Sequence, residues 1–298
     1  MYKKMVVLLD GSELAEVVFD YAQELSGRLH IDMDLLHVCD PKESELLPMR
    51  RAYMDQMAAE LCEGAEAIRA KYRKEPAEQC IQAHGHVVVG YPAEEIIKYI
   101  DENDIDMVLM STHGSSGEKE WDLGGVANKV IHASKVPIWL VPTELREEII
   151  ADTLPGRYLV VPLSGSKQSE MAIPHAIQLI KQRAVGGEIV LLHVDEPTQF
   201  YVNRSALKEE EEDRAEMKKY LEGVAEQIRE AGIPARTEIV VGDAAQSIIS
   251  YLRDNPSQLL VMSTRGQRGI SRMIFGSVAE SVIHLVKKTP LLLVSQKD

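Results

Sequence analysis

Two stretches of this chain repeat one pattern of strand, glycine loop and helix start. Val108-Leu109-Met110-Ser111-Thr112-His113-Gly114 leads to Gly124-Gly125, and Val261-Met262-Ser263-Thr264-Arg265-Gly266 leads to Gly276-Ser277. Nine residues separate Gly114 from the Gly124-Gly125 pair and Gly266 from Gly276-Ser277, and Gly114 and Gly266 lie 152 positions apart. The flanks repeat at nearly the same offset. Val88-Val89-Gly90 answers Val240-Val241-Gly242, Leu35-Leu36-His37-Val38 answers Leu191-Leu192-His193-Val194, and Leu9-Asp10-Gly11-Ser12 answers Leu163-Ser164-Gly165-Ser166. A period this long marks a duplicated domain rather than a solenoid. The expected organisation is therefore two domains, 1–142 and 157–298, joined at about 143–156, where Pro155-Gly156 signals a turn.

Within each half, apolar runs of strand length alternate with helical patterns. In the first half the runs fall at 5–9, 33–38, 86–89, 106–110 and 137–141, with helices predicted at about 13–29, 50–73, 93–103 and 125–134. Strands rich in Val, Leu and Ile, each followed by a helix, predict a five-stranded, doubly wound parallel sheet in each half: two tandem Rossmann-like α/β domains. The final strands, Val136 to Val141 and Pro290 to Val294, are apolar to their ends, so left open each would be an aggregation edge. Pairing them within one chain removes both edges and predicts a pseudo-dimer of the halves.

In such a sheet, ligands sit beyond the carboxyl ends of the strands where strand order reverses. If the first and fourth strands are neighbours, Asp10 and Ser111, or Ser164 and Ser263, share a crevice with the glycine loop. Backbone N–H groups and the positive dipole end at the following helix start make this an anion site, which points to a phosphate-bearing ligand. Each motif also has a plain structural role. Ser277-Val278-Ala279-Glu280 has the form of a capping box. Gly114 and Gly266 suit turns, and Asp10 suits a turn or helix cap. His37 and His193 read as packed strand residues, and His84-Gly85-His86 lacks further metal ligands in sequence. Ser164-Gly165-Ser166-Lys167-Gln168-Ser169 resembles the loop of adenylating ATP pyrophosphatases, without its second Gly or its Asp. No Walker-type or nucleophile-elbow motif is present, and no side chain stands out as a catalytic base.

Composition bounds the class. A formal net charge of −14 argues against nucleic acid or an anionic membrane as a general partner. Cys39, Cys62 and Cys80 lack metal-type spacing and read as reduced thiols. Met1-Tyr2-Lys3-Lys4 runs straight into a short apolar segment unlike a signal peptide, and the expected location is the cytoplasm.

The doubled loop resembles the universal stress proteins in their tandem two-domain form, whose nucleotide-binding members carry Gly-x-x-Gly, nine residues, then Gly-Ser or Gly-Thr. The resemblance implies binding of ATP or a related adenine nucleotide, Mg with it, a stress-response role and dimerisation through the last strand, with a homodimer of chains beyond the pseudo-dimer. It also implies that Asp10 contacts the ribose or a metal, that Val38 and Val194 line the adenine pocket, and that the Gly/Ser loops hold phosphates. The residues expected around the nucleotide are Leu163, Ser164, Val194, Met262, Ser263, Gly266, Arg268, Gly276, Ser277 and Val278 in the second half. In the first half they are Asp10, Val38, Met110, Ser111, Gly114, Gly124, Gly125 and Val126.

The copies depart from the pattern differently. The first keeps Asp10 but has Gly125 in the hydroxyl's place and Glu118, Glu120 and Asp122 in its loop. The second keeps Ser277 with Arg265, Arg268 and Arg272, but has Ser164 for the acid. Guanidinium groups suit phosphate and carboxylates repel it unless a cation intervenes, so the second half is expected to be the stronger phosphate site. Two other readings stay open: an interaction scaffold with degenerate sites, and a slow ATP hydrolase.

Overall fold

The computed structural model describes residues 1–11, 14–72, 79–112, 123–183, 185–196, 204–264 and 276–295. The first half runs β1 (Lys4–Leu8), α1 (Leu14–Leu29), β2 (Asp32–Cys39), α2 (Leu47–Tyr72), β3 (Ala83–Val89), α3 (Pro92–Glu102), β4 (Met107–Ser111), α4 (Gly125–Ala133) and β5 (Ile138–Val141). A short helix, α5 (Glu147–Ile150), precedes the second half. There follow β6 (Tyr158–Pro162), α6 (Lys167–Glu170), α7 (Ala172–Gln182), β7 (Glu188–Asp195), α8 (Arg204–Glu230), β8 (Ala235–Val241), α9 (Ala244–Asp254), β9 (Leu259–Ser263), α10 (Ser277–Leu285) and β10 (Leu291–Val294). The expected alternation is present, with ends shifted by a few residues. Helix α2 starts at Leu47 because Pro48 lies in its first turn, where a missing N–H costs nothing.

The strands form one ten-stranded sheet in the order β3-β2-β1-β4-β5-β10-β9-β6-β7-β8. Neighbours are parallel within each half, while β5 and β10 meet antiparallel, with Leu291 opposite Leu140, Leu292 opposite Trp139 and Leu293 opposite Ile138. This is the intrachain edge pairing anticipated from the apolar terminal strands. The register is in phase with burial. Trp139 and Leu292 join the apolar layer under α1, α2, α7 and α8, and Leu140 and Leu291 join the opposite layer under α3, α4, α9 and α10. Both layers run through both halves, so the two repeats share their cores across the β5–β10 seam.

The joint is packed against both halves rather than being an extended connector. Ile149 and Leu154 enter the first apolar layer, and Arg28 on α1 donates to the carbonyls of Ile149 and Ile150. At Asp152, whose side chain is fully buried, the carboxylate accepts from Arg183 at 2.5 Å and from Gln258 at 3.0 Å. A second cross-half tether holds the start of the chain: Gln182 accepts from the Tyr2 amide at 3.1 Å and donates to the carbonyls of Tyr2 and Leu29. Among the described residues, no helix is long and apolar enough to cross a membrane.

The structure also explains His84-Gly85-His86. A Cβ at Gly85 would come within 2.5 Å of the Met54 backbone, so glycine lets α2 approach β3 there. The flanking histidines turn to the other face, 3.8 and 3.7 Å from the buried Asp34 carboxylate, which bonds Tyr99 and Lys4. Among the described residues no group of three metal-ligating side chains forms a metal site.

Candidate functional site

The strand order reverses between β1 and β4 in the first half and between β6 and β9 in the second. Val7 stands opposite Leu109 and Val160 opposite Leu260, so the chain leaves both members of each pair at the same end of the sheet. Asp10 and Ser111 are thereby brought to one end, as are Ser164 and Ser263. β1 stops at Leu8, which puts Asp10 in the exposed loop beyond the strand rather than at its last residue.

The glycine loop is pinched shut at its base in both halves. Thr112 N–H donates to the Val141 carbonyl at 3.0 Å and Gly124 N–H returns to the Thr112 carbonyl at 3.4 Å. The matching bonds run from Thr264 to Val294 at 2.9 Å and from Gly276 to Thr264 at 2.8 Å. These bonds place the starts of α4 and α10 beside the ends of β4 and β9. Thr112 and Thr264 were not singled out from sequence, although their recurrence after the strand serine was visible there.

The capping-box reading of Ser277 is corrected by this geometry. Gly276 is the N-cap of α10, with φ −72° and ψ 146°, and among the described residues no side chain caps the helix. Ser277 is the first helical residue and is exposed, so its hydroxyl cannot take the box role, which belongs to the residue before the helix. Helix α4 starts the same way from Gly124, again with no side-chain cap. Both starts carry N–H groups that lack an intrahelical acceptor, together with the positive end of the helix dipole.

Around these amides, Met110, Leu163, Met262 and Ser263 are buried, whereas Val38, Ser111, Ser164, Val194, Gly124, Gly276 and Val278 are half-buried. Gly125, Val126 and Ser277 are exposed. Gly114, Gly266 and Arg268, with Arg265, Arg272, Glu118, Glu120 and Asp122, lie outside the described residues. The fold thus brings a buried methionine at the end of the fourth strand and the following helix start to the same end of the sheet in each half.

His37 and His193 have a shared role that the apolar pattern concealed. Each ring contacts, through Nδ1 and at 2.8 Å, the carbonyl of the residue before the loop, Leu9 or Leu163. A carbonyl only accepts, so Nδ1 carries the proton; in the first half Arg50 then donates to His37 Nε2. The two histidines hold the loops bearing Asp10 and Ser164 in position.

The serine-rich loop of the second half is satisfied internally. Ser166 caps α6 by accepting from the Ser169 N–H at 3.1 Å, Ser164 and Ser166 hydroxyls lie 3.0 Å apart, and Ser169 donates to the Ser166 carbonyl at 2.8 Å. The sharp entry comes from Gly165 at φ +77°, matched by Gly11 at φ +81°. A Cβ at Gly165 would meet Met217 at 3.1 Å in a backbone region that L-residues disfavour. Gly165→Ala is expected to lower unfolding free energy by about 1–2 kcal/mol in urea titration. At the end of β7, Asp195 pairs with Arg214 at 2.6 Å and the next residue, Glu196, accepts from Ala244 N–H at 3.2 Å, so both carboxylates are engaged.

A family model described as the universal stress protein family matches residues 1–142 and 157–295. Universal stress protein Rv2005c of Mycobacterium tuberculosis is 20% identical over 301 residues, covering 98% of this chain and 97% of that one. Universal stress protein YxiE of Bacillus subtilis is 26% identical over 147 residues, covering 47% of this chain and 99% of its own. The crystal structure of a universal stress protein from Archaeoglobus fulgidus superposes with a TM-score of 0.70 at 21% identity, covering 99% of this chain and 98% of that one.

Proposed function

The chain belongs to the universal stress protein family in tandem form, and on that premise we propose that it is an adenine-nucleotide-binding regulatory protein whose second half is the stronger phosphate site. The observation that carries the reading is the pair of glycine-capped helix starts, each without a side-chain cap and each drawn back to the strand before it by the Thr112–Gly124 or Thr264–Gly276 bond. Capping by a side chain would compete with a phosphate for the same N–H groups, and among the described residues no side chain caps either start. The half-buried valines, Val38 and Val194, and the buried Met110 and Met262 offer apolar surface for a purine.

Asymmetry follows from three differences. Ser277 adds a hydroxyl at the start of α10 where α4 has Gly125. Three arginines in one loop oppose three carboxylates in the other. Asp10 stands where the second half has Ser164, whose hydroxyl is tied to Ser166. A divalent cation such as Mg²⁺ would offset the acidic loop in the first half, with Asp10 the residue nearest that role by position. The nucleotide would supply its charged phosphates as the bound feature that changes shape or partners on exchange.

Mass spectrometry of the small molecules released by heat from purified protein tests the reading. An adenine nucleotide in the supernatant is expected; its absence, together with no thermal shift on adding ATP, ADP or AMP with Mg²⁺, would reject it. The asymmetry can be reduced by design. A Cβ at Gly125 meets nothing within 4 Å, so Gly125→Ser is expected to fold normally, with up to about 0.5 kcal/mol gained from helix propensity. It should also tighten the weaker of two binding steps in calorimetric titration.

A further inference from the structure

Outside the two crevices, one cavity lies on the seam between the halves. Five leucines with Tyr21 and Trp139 make most of its wall, and Arg28 of the first half with Arg183 and Gln258 of the second make its polar part. It offers about 30 Å³ to the centres of water-sized occupants, where a single water needs about 10–15 Å³. That is room for one small ion with a water, or for two waters.

Two buried guanidinium groups line this cavity with a donor each to spare. Arg28 gives its terminal nitrogens to Glu24 and to the carbonyls of Ile149 and Ile150, and its Nε has no partner. Arg183 gives a terminal nitrogen to Asp152, and its Nε also has no partner. Their side chains are 6% and 9% exposed. The Trp139 indole lies beside the Tyr21 ring, with centroids 6.1 Å apart. Buried donors of charged groups left unpaired are costly, and native interiors fill such positions. The buried guanidiniums are paired one to one, Arg28 with Glu24 and Arg183 with Asp152, so what the cavity offers is the two spare Nε–H groups. Burial raises the Tyr21 phenol far above its ordinary range, so the ring stays a neutral O–H and adds no charge.

We propose that this seam cavity is a binding site for one halide-sized monovalent anion, chloride under ordinary conditions, held by the Nε–H groups of Arg28 and Arg183. The ion satisfies both spare donors and bridges α1 of one half to Arg183, just after α7 of the other, so its occupancy sets the strength of the contact between the repeats. It is separate from the glycine-loop crevices and stands or falls without them.

Thermal unfolding of the full chain, purged of nucleotide, is compared in sodium chloride, sodium bromide and sodium gluconate at equal ionic strength. Gluconate is too large for the cavity. A midpoint higher by about 2–4 °C in either halide is expected for occupancy well above the dissociation constant. Arg183→Gln should remove that difference, whereas a general salt effect would survive it. Where that variant does not fold, crystals of the unaltered protein grown in bromide decide: an anomalous peak within hydrogen-bonding distance of both Nε atoms supports the site. Water alone in the cavity, or equal midpoints in all three salts, overturns it.

Discussion

Asp152→Ala is expected to cost about 3–5 kcal/mol of stability, the penalty for removing one partner of a buried ion pair. The Asp152 carboxylate is 0% exposed and accepts from Arg183 at 2.5 Å, from Gln258 at 3.0 Å and, more loosely, from Arg157 at 3.4 Å. Truncation leaves the Arg183 guanidinium buried without its carboxylate and strands the Gln258 amide. The backbone adds to the loss, because Asp152 sits at φ +56°, a region that Asp and Asn tolerate better than Ala. Asp152→Asn keeps the shape and that tolerance but not the charge, and should lose less. Urea unfolding checks both: a lower midpoint at unchanged slope is expected, and an Ala variant within about 1 kcal/mol of the parent would remove the buried pair from the account of how the repeats are joined.

Gly276→Val is expected to weaken nucleotide binding at the tighter site by about tenfold or more, equivalent to about 1.4 kcal/mol or more. A glycine at this place lets backbone approach phosphate closely, and a branched side chain obstructs that approach. Folding is a lesser concern, since φ −72° and ψ 146° are accessible to any residue. Valine is a poor N-cap, yet glycine contributes no capping side chain to lose. Gly124→Val should affect the weaker step instead. Isothermal titration of the two variants separates these effects, and unchanged affinity in Gly276→Val would move the tighter site out of the second half.

Much of the fold was legible because it is written in local repetition. Strand-length apolar runs, recurring at a fixed offset, placed the strands of both halves, and the apolar ends of β5 and β10 foretold their pairing. Their antiparallel register, with Trp139 opposite Leu292, follows once alternate residues must reach the same core layer. The glycine starts of α4 and α10 beside the strand ends were legible from the repeated glycines. Their capping was not, since it depends on φ and ψ at Gly276 rather than on the Ser-x-x-Glu pattern. The loop-setting bonds of His37 and His193 reach from one strand to the end of another. Nor does any periodicity connect Arg28, Asp152 and Arg183, three charged residues far apart in sequence that burial brings together. The joint read as a linker because Pro155-Gly156 dominated it, while Ile149 and Leu154, its contribution to the core, were too few to register as an element.

The central claim is that one chain carries two unequal adenine-nucleotide sites. Its most direct test is isothermal titration of the full-length, nucleotide-free protein with Mg·ATP, run beside Gly276→Val and Gly124→Val. Two resolved binding steps are expected in the parent, with loss of the tighter one in Gly276→Val and its retention in Gly124→Val. Absence of binding heat, or an identical loss in the two variants, would contradict it.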